Sequence, residues 1–473
     1  MTERGNPSGG GVDGLNYYDW EAQQRGEGQY TRPDTYPDHK AHWYCQAQAP
    51  IREQTSVEGH SVRAMYLLTA VADLVHLSSD KPGLLEDTEK DSWIQAAKTL
   101  WNNMVEKKMY VTGGIGAIKQ WEGFGIDYFL PQGTEDGGCY AETCASIGVI
   151  MLAERLLHLD LDGHYADIME LCLYNNVMTA MNIAGNEFTY VNQLASSDAD
   201  KSMRNDWFWC ACCPPNLTRL YGSLGGYLWD YGEPGETGQV DINVHLYTSA
   251  EVTFETKYGG SVTLRQKSNW PWEGNILFEL TSEKPCQTAI RLRLPAWSEN
   301  LYALTPTPEP GTSRIEKSYL VLDPSYTGDN PAFSLEIKGF SARYLSPHPY
   351  TNQRTLTLAR GPIVYCIEDV DNTWETNHFK DVAIKVGSPI TEEKRHDEKT
   401  GEDYVALRTT GWSLSPPTQR TGSSLYASAT ERELVFIPYY FRSNRGGNGQ
   451  MRVGLSNAGL VEGNYFPESH MAE

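Results

Sequence analysis

The sequence is poor in basic residues and has no long apolar run. Its 39 Lys and Arg face 61 Asp and Glu, for a formal net charge of −22. This deficit argues against a nucleic-acid groove, which meets phosphates with an excess of basic side chains, and against an anionic membrane surface. The best apolar run, Tyr66 to Val75, contains Asp73 and has ten residues, whereas a membrane span needs about twenty. We therefore expect no nucleic-acid partner and no membrane partner.

Cysteine is also scarce, because the 473 residues contain only nine, an odd number that disfavours a disulfide framework. Residues Met1 to Asp13 are polar and Gly-rich, without the apolar core of a signal peptide. Five cysteines nevertheless lie within 75 residues: Cys139, Cys144, Cys210, Cys212 and Cys213. Clustered thiols without an export signal predict a reducing, cytoplasmic location and a metal or catalytic role.

The composition is that of a globular protein, with 40% hydrophobic and 11% aromatic residues. Residues 1–55 lack a sustained period and are predicted to be irregular. Residues 56–235 have the period of about 3.6 that is typical of helices. Five helices are predicted: Gly59–Ser78, one around Trp93–Met104, Ser146–Leu159, Tyr165–Met181 and Asn216–Tyr231, the last opened by Pro214 and Pro215.

After residue 235 the apolar period changes to two, as in Val240 to Leu246 and Ala289 to Leu294. Regularly spaced short strands with turn residues between them predict β-sandwich structure. We assign one β-sandwich to residues 236–345 and a second to residues 346–473. The fold class is therefore α+β multidomain, with the helices first.

Two short segments have the residue types of a metal site, namely Tyr140–Ser146 and Cys210–Asn216. Glu142 and Cys144 can face one point only if that stretch is extended, and Ser146 is a good N-cap for a following helix. Two prolines follow Cys213 and predict a turn out of extended backbone, which lets adjacent thiols converge. One Glu and three Cys form a plausible tetrahedral Zn²⁺ set.

Two ordinary interpretations compete with a catalytic one at this point. Buried free cysteines often behave as small hydrophobic residues. A zinc site closed by four protein ligands is usually structural, because catalytic sites usually keep one position open. The loop Tyr110–Tyr140 favours function, since its 31 residues exceed a bare connector.

Four motifs in order resemble glycoside hydrolase family 127, whose founding activity is β-L-arabinofuranosidase. They are Gly-His-Ser-Val-Arg-Ala (59–64), Tyr-Val-Thr-Gly-Gly-Ile-Gly (110–116), Tyr-Ala-Glu-Thr-Cys-Ala-Ser (140–146) and Cys-Ala-Cys-Cys-Pro-Pro-Asn (210–216). The stretches 360–365 and 438–440 resemble the C-terminal β domains of the family. The resemblance implies an (α/α)₆ barrel followed by two β-sandwiches, and a retaining glycosidase acting on a small glycoside or oligosaccharide.

The resemblance also implies a role for individual residues. The implied zinc ligands are Glu142, Cys144, Cys212 and Cys213. Cys212 matches the nucleophile and Glu122 the general acid/base. His60, Glu170, Tyr190 and Cys210 match positions in the sugar pocket, whereas Cys139 matches no functional position. Taken singly, each has an ordinary interpretation: Glu122 as a loop carboxylate, His60 as a core histidine, Glu170 as a polar helix face and Tyr190 as a packing aromatic.

The sequence departs from the family in the number of helices. Five helices cannot close a twelve-helix barrel, so residues 56–235 are expected to be only part of it. An alternative is therefore a catalytically inert homologue with a structural zinc site and carbohydrate-binding β domains. Another barrel enzyme acting on sugars, such as an epimerase or lyase, is a weaker alternative, and a homodimer is left open.

Overall fold

The computed structural model describes residues 15, 17–26, 42–81, 83–236, 238–257, 259–415 and 428–460. Helices dominate up to residue 228, and one more lies in the first β region. They are α1 (Tyr17–Gln24), α2 (Ser61–Asp80), α3 (Asp87–Lys107), α4 (Thr143–Leu159), α5 (Gly163–Leu171), α6 (Cys213–Gly222), α7 (Gly225–Leu228) and α8 (Pro324–Asp329). α5 continues as a π-helical turn over Cys172–Val177 and a 3₁₀ turn over Met178–Ala180. Among the described residues, no helix combines the length and apolarity that a bilayer span requires.

Helix α4 is the centre of the helical region and contacts α2, α5 and α6. It is apolar on most faces, and twelve of its 17 residues are buried. Gly148 allows α2 to approach closely, because a Cβ at this position would lie 2.7 Å from the Cβ of Met65. This close contact fixes how α2 and α4 are positioned along each other, and therefore where their N-termini lie.

Several predicted helix limits are wrong. The predicted irregular segment 1–55 contains α1, while residues 1–14, 16 and 27–41 lie outside the described residues. α4 begins at Thr143 rather than Ser146, because Glu142 in extended conformation is already its N-cap. Cys213 is the first residue of α6, so Pro214 and Pro215 occupy its first turn. The helix predicted to reach Tyr231 instead gives way to a strand at Trp229.

The first β region consists of two five-stranded sheets. Its strands are β1 (Trp229–Gly232), β2 (Gln239–Val244), β3 (Ala250–Glu255), β4 (Ser261–Ser268), β5 (Asn275–Ser282), β6 (Gln287–Arg293), β7 (Tyr302–Thr305), β8 (Ser313–Glu316), β9 (Tyr319–Leu322) and β10 (Ala332–Ile337). Their orders are β1-β2-β6-β9-β8 and β3-β4-β5-β10-β7. Both sheets contribute to one buried core with the helices, in which Leu264 and Ile290 are fully buried. The predicted change from helices to sheets is confirmed.

The second β region has a single hydrogen-bonded set of strands. They are β11 (Ala342–Leu345), β12 (Thr355–Arg360), β13 (Ile363–Glu368), β14 (Val382–Ile384), β15 (Ile390–Asp397), β16 (Glu402–Ser415), β17 (Ser428–Pro438), β18 (Met451–Arg452) and β19 (Leu455–Asn457). Strand β12 pairs with both β19 and β13, which closes the ladder into a ring. The prediction of β structure in this region is confirmed, and its strands form one hydrogen-bonded set. The core of this ring includes Tyr110 and Cys139 from the long loop of the helical region.

Candidate active site

A pocket of about 490 Å³ opens at the end of the helical region where α2, α4 and α6 begin. It is lined by His60, Val62, Tyr66, Glu122, Glu142, Cys144, Tyr190, Cys210, Cys212, Pro215, Asn216 and Arg219. Two potential metal-binding groups lie there: Glu142 with Cys144, Cys212 and Cys213, and His60 with Glu122 and Glu142. Titratable groups converging in one concave site are typical of an active site.

The first group is built at the N-termini of two helices. Glu142 is the N-cap of α4 and Cys144 is the second residue of that helix. Cys212 is the N-cap of α6 and Cys213 is its first residue. Because unpaired N–H groups and the helix dipole make an N-terminus positive, both helices stabilise negative charge on these side chains.

The four ligand atoms lie within 4.8 Å of one another. The Cys212 Sγ is 3.5 Å from Glu142 Oε1 and 3.8 Å from the Cys213 Sγ. The Cys213 Sγ is in turn 3.6 Å from the Cys144 Sγ and 3.9 Å from Glu142 Oε1. Three sulfurs and one oxygen thus surround one point.

This arrangement is electrostatically costly without a cation. Burial and the neighbouring Cys212 raise the pKa of Glu142 to about 9, and its Oε2 is buried without a hydrogen-bond partner. Hydrogen bonds from Cys144 and Cys213 lower the pKa of Cys212, whereas the contacts of Cys213 with Cys144 and Cys212 raise the pKa of Cys213. Soft thiolates, one carboxylate and an unpaired buried oxygen are a donor set that fits a divalent metal ion.

Glu122 also lines the pocket, and its backbone is hydrogen-bonded to the first residue of α2. Its backbone has a left-handed φ of 53°, and its carbonyl accepts hydrogen bonds from the amide (3.0 Å) and hydroxyl (2.9 Å) of Ser61. The following Gly123 is required by a close approach, since a Cβ there would lie 1.9 Å from the Gly59 carbonyl oxygen. The Glu122 side chain is therefore anchored through its backbone and remains 41% exposed.

His60 orients the carboxylate of Glu122. Its Nε2 is 3.1 Å from Glu122 Oε2, and its Nδ1 is buried without a partner. The hydrogen bond from His60, with another from Tyr140, outweighs burial and lowers the pKa of Glu122. The free pocket thus holds Glu122 as a carboxylate that can accept a proton.

Aromatic rings form the remaining wall. The Tyr190 ring centroid lies 5.9 Å from that of Tyr140 and 5.7 Å from that of Phe208. The Tyr190 carbonyl accepts a hydrogen bond of 3.1 Å from the amide of Thr143, which ties this wall to the first turn of α4. Cys210 lines the rim and is exposed.

Three family descriptions match successive parts of the chain. Residues 18–226 match the β-L-arabinofuranosidase GH127 catalytic domain. Residues 241–336 match the GH127 middle domain, and residues 343–456 match the glycoside hydrolase family 127 C-terminal domain. The chain belongs to glycoside hydrolase family 127.

Characterised relatives in this family are similar along most of the chain. A non-reducing end β-L-arabinofuranosidase of Bifidobacterium longum subsp. longum is 31% identical over 430 residues, which are 87% of this chain and 61% of that protein. The crystal structure of a GH127 β-L-arabinofuranosidase from Geobacillus stearothermophilus T6 has a TM-score of 0.76 at 30% identity, covering 94% of this chain and 67% of that one. A GH127 β-arabinofuranosidase structure has a TM-score of 0.72 at 26% identity, covering 93% and 64%.

The chain thus spans about three fifths of the length of the curated relative that it matches. Within the described residues, eight of the nine predicted site residues come together at the pocket or its metal-binding group. They are His60, Glu122, Glu142, Cys144, Tyr190, Cys210, Cys212 and Cys213.

Glu170 is not among them, because it does not line the pocket, and its contact with a sugar stays a prediction. It is 2% exposed, and its two carboxylate oxygens accept hydrogen bonds from Arg293 (2.6 Å) and from the indole of Trp297 (3.1 Å). Both partners belong to the first β region. Glu170 therefore joins two parts of this GH127 chain and does not face the pocket.

Sequence reasoning missed three pocket residues: Tyr66, Asn216 and Arg219. The Arg219 guanidinium donates a hydrogen bond of 2.5 Å to Asn216 Oδ1. Contact with Cys212 raises the pKa of Cys144, and a hydrogen bond from Asn216 offsets part of that rise. For Asn216 and Arg219 the available signal was their separation of three residues in α6, which places both on one helix face. Polar residues with this spacing are common on solvated helices, so the signal was weak.

Proposed function

We propose that this chain is a retaining glycoside hydrolase that cleaves a furanoside, and that its substrate is a non-reducing β-L-arabinofuranosyl residue. The observation that carries the proposal is that Cys212 and Glu122 line the same pocket. Cys212 is half-buried at the pocket wall, whereas Cys144 and Cys213 are buried. Only Cys212 of the three thiols is therefore placed to meet a substrate. The family membership and the names of the relatives support the substrate class.

We further propose that the metal is zinc and that Glu142, Cys144, Cys212 and Cys213 hold it. Zn²⁺ favours four-coordinate sets of thiolate and carboxylate ligands. When bound, it supplies positive charge that keeps the coordinated thiols deprotonated near neutral pH.

In the first step, the Cys212 thiolate attacks the anomeric carbon of the furanoside. The C–S bond forms while the bond to the leaving oxygen breaks, and Glu122 donates a proton to that oxygen. Since Glu122 is ionised in the free pocket, it must take up this proton before the step. The hydrogen bond to His60 keeps the carboxyl group oriented during the transfer.

In the second step, Glu122 removes a proton from water, and the resulting hydroxide attacks the same carbon. The C–S bond breaks and Cys212 leaves as a thiolate. Two inversions give net retention, as in glycosidases that use two carboxylates, with a thiolate in place of the nucleophilic carboxylate.

A catalytically inert protein with a structural metal site is the second candidate. The closed set of four protein ligands favours it, because catalytic zinc sites usually keep an open position. Its pocket would bind a sugar without turnover.

Hydrolysis of an aryl β-L-arabinofuranoside distinguishes the two candidates. We expect arabinose release by the metal-loaded chain, and a loss of at least about 10³-fold in kcat for Cys212→Ala and Glu122→Ala. Product analysis by NMR should show the β anomer first. Full activity of Cys212→Ser without metal would refute the nucleophile, and a metal-loaded chain without turnover would favour the inert candidate.

A further inference from the structure

Two tryptophans at the rim of the pocket are unusually exposed. The relative exposure of Trp207 is 60%, and that of Trp209 is 104%. Large exposed aromatic side chains near a pocket usually mark a binding surface. Neither residue has a role in the chemistry proposed above.

The backbone that carries these rings is firmly held. Arg204, which is 8% exposed, donates hydrogen bonds to the carbonyl oxygens of Thr179, Tyr440 and Arg442. Asn205 forms a two-way backbone pair with Phe188, at 2.8 and 2.9 Å. The exposed rings therefore project from an anchored segment.

The rings alternate along this segment. Phe208 points inward and packs against Tyr190 in the pocket wall, with ring centroids 5.7 Å apart. Trp207 and Trp209, one residue to either side, are exposed, although the edge of the Trp207 ring contacts Phe188 at 6.3 Å between centroids. Trp209 directly precedes Cys210, which lines the pocket, so the backbone that carries Trp209 adjoins the pocket.

We propose that Trp207 and Trp209, here called the aromatic ledge, form a subsite for the leaving group, and that this leaving group is a saccharide. The proposal rests on the proposed function. A retaining enzyme that removes a terminal sugar must accommodate the rest of the glycan outside its pocket. Indole rings provide a flat apolar surface for the C–H face of a sugar and an N–H donor for a hydroxyl group.

The ledge predicts selectivity between leaving groups. The substrates to compare are methyl β-L-arabinofuranoside and a β-L-arabinofuranosyl trisaccharide. We expect Trp209→Ala and Trp207→Ala each to lower kcat/KM for the trisaccharide about tenfold more than for the methyl glycoside. Trp209→Phe should restore much of the difference, because it retains an aromatic face.

Tyr350→Ala is the matched control, because Tyr350 is 71% exposed and lies outside the pocket lining. We expect this variant to treat both substrates as the unsubstituted chain does. Equal losses on both substrates in the tryptophan variants would indicate a merely structural role and overturn the proposal. Conversion of a dimer to a monomer by Trp209→Ala, seen by sedimentation, would identify a protein interface and would also overturn it.

A binding measurement separates this proposal from the proposed function. Calorimetric titration of the chain with the trisaccharide should show binding that Trp209→Ala weakens about tenfold. If such binding occurs without turnover of either substrate, the hydrolase function fails and the ledge stands as a glycan-binding surface. If turnover occurs but Trp209→Ala alters neither binding nor selectivity, the ledge proposal fails alone.

Discussion

At the scale of single residues, Glu142 has the most demanding surroundings in the pocket. It is 2% exposed and lies beside three thiols. A buried carboxylate is stable only when it is paired, hydrogen-bonded or bound to a metal. The N-terminus of α4 offsets part of this cost, and one oxygen remains unpaired. Glu142 thus suits the role of metal ligand that we propose, in contrast to Glu122, whose partly exposed carboxyl group can exchange protons.

This contrast predicts different outcomes for two matched substitutions. Glu142→Gln should lower the bound metal, measured by elemental analysis, from about one equivalent per chain to well below one, because a neutral amide is a poor zinc ligand. It should also lower the Tm, since metal binding stabilises the folded state. Glu122→Gln, the control, should retain the metal and lose activity. Loss of the metal in both variants would show that His60, Glu122 and Glu142 hold it instead.

At the scale of secondary-structure elements, Asp160 links the C-terminal end of α4 to α3 and to the first β region through two ion pairs. Its Oδ2 lies 2.5 Å from the Lys98 Nζ on α3, and its Oδ1 pairs with Lys317 in the turn between β8 and β9. Burial acts to raise the pKa of Asp160, but Lys317 and Lys98 outweigh it and lower the pKa below its usual value. Its charged form therefore stabilises the contact between α4 and the first β region.

We expect Asp160→Asn to lower the free energy of unfolding by about 1 kcal/mol at pH 7. Because the pKa is lower in the folded state, the contribution of Asp160 is present above the unfolded pKa of about 3.9 and is lost as the pH falls below it. Urea unfolding at pH 7 and at successively lower pH values tests this. Asp91→Asn, at an exposed position on α3, is the control. A difference that persists unchanged in acid would contradict the electrostatic explanation.

At the scale of the whole molecule, Arg293 joins the helices to the first β region. It lies on β6, is fully buried, and donates hydrogen bonds to Asp167 (2.5 Å) and Glu170 (2.6 Å) on α5. Removing one partner of a buried ion pair leaves an uncompensated charge, which is more costly than the pair is stabilising. The orientation of the helices on the β region thus depends on this residue.

Arg293→Met should lower the free energy of unfolding by about 3–5 kcal/mol, measured by urea denaturation. Additional neutral substitutions, Asp167→Asn and Glu170→Gln, should recover part of the loss because they remove the uncompensated charges. Arg291→Met on the same strand is the control, since its pair with Asp241 is partly exposed and contributes about 1 kcal/mol or less. Equal losses for the two arginine variants would contradict a special role for burial.

Local patterns in the sequence were sufficient for much of the fold. The spacing of Trp93, Ala97, Leu100 and Met104 predicted α3, and the alternation of Val240, Ile242 and Val244 predicted β2, because backbone geometry fixes periods of about 3.6 and 2. The starts of α4 and α6 each lie three residues before the predicted ones. Glu142 and Cys212 occupy the N-cap positions without a side-chain capping hydrogen bond, and neither is a common N-cap residue, so the usual sequence signal for a helix start was missing.

The sequence by itself determined the chemistry that the site can offer: thiols and carboxylates in two short segments, adjacent to helix starts. Only the tertiary structure decided which groups meet. Glu142 and Cys212 converge because α4 packs against α6 across 70 positions of the chain, whereas Glu170 is drawn away from the pocket by Arg293, 123 positions later. The physical reason is the distance along the chain over which each effect acts. Periodicity and capping act within a few residues, whereas burial and charge pairing depend on surfaces that meet only after folding.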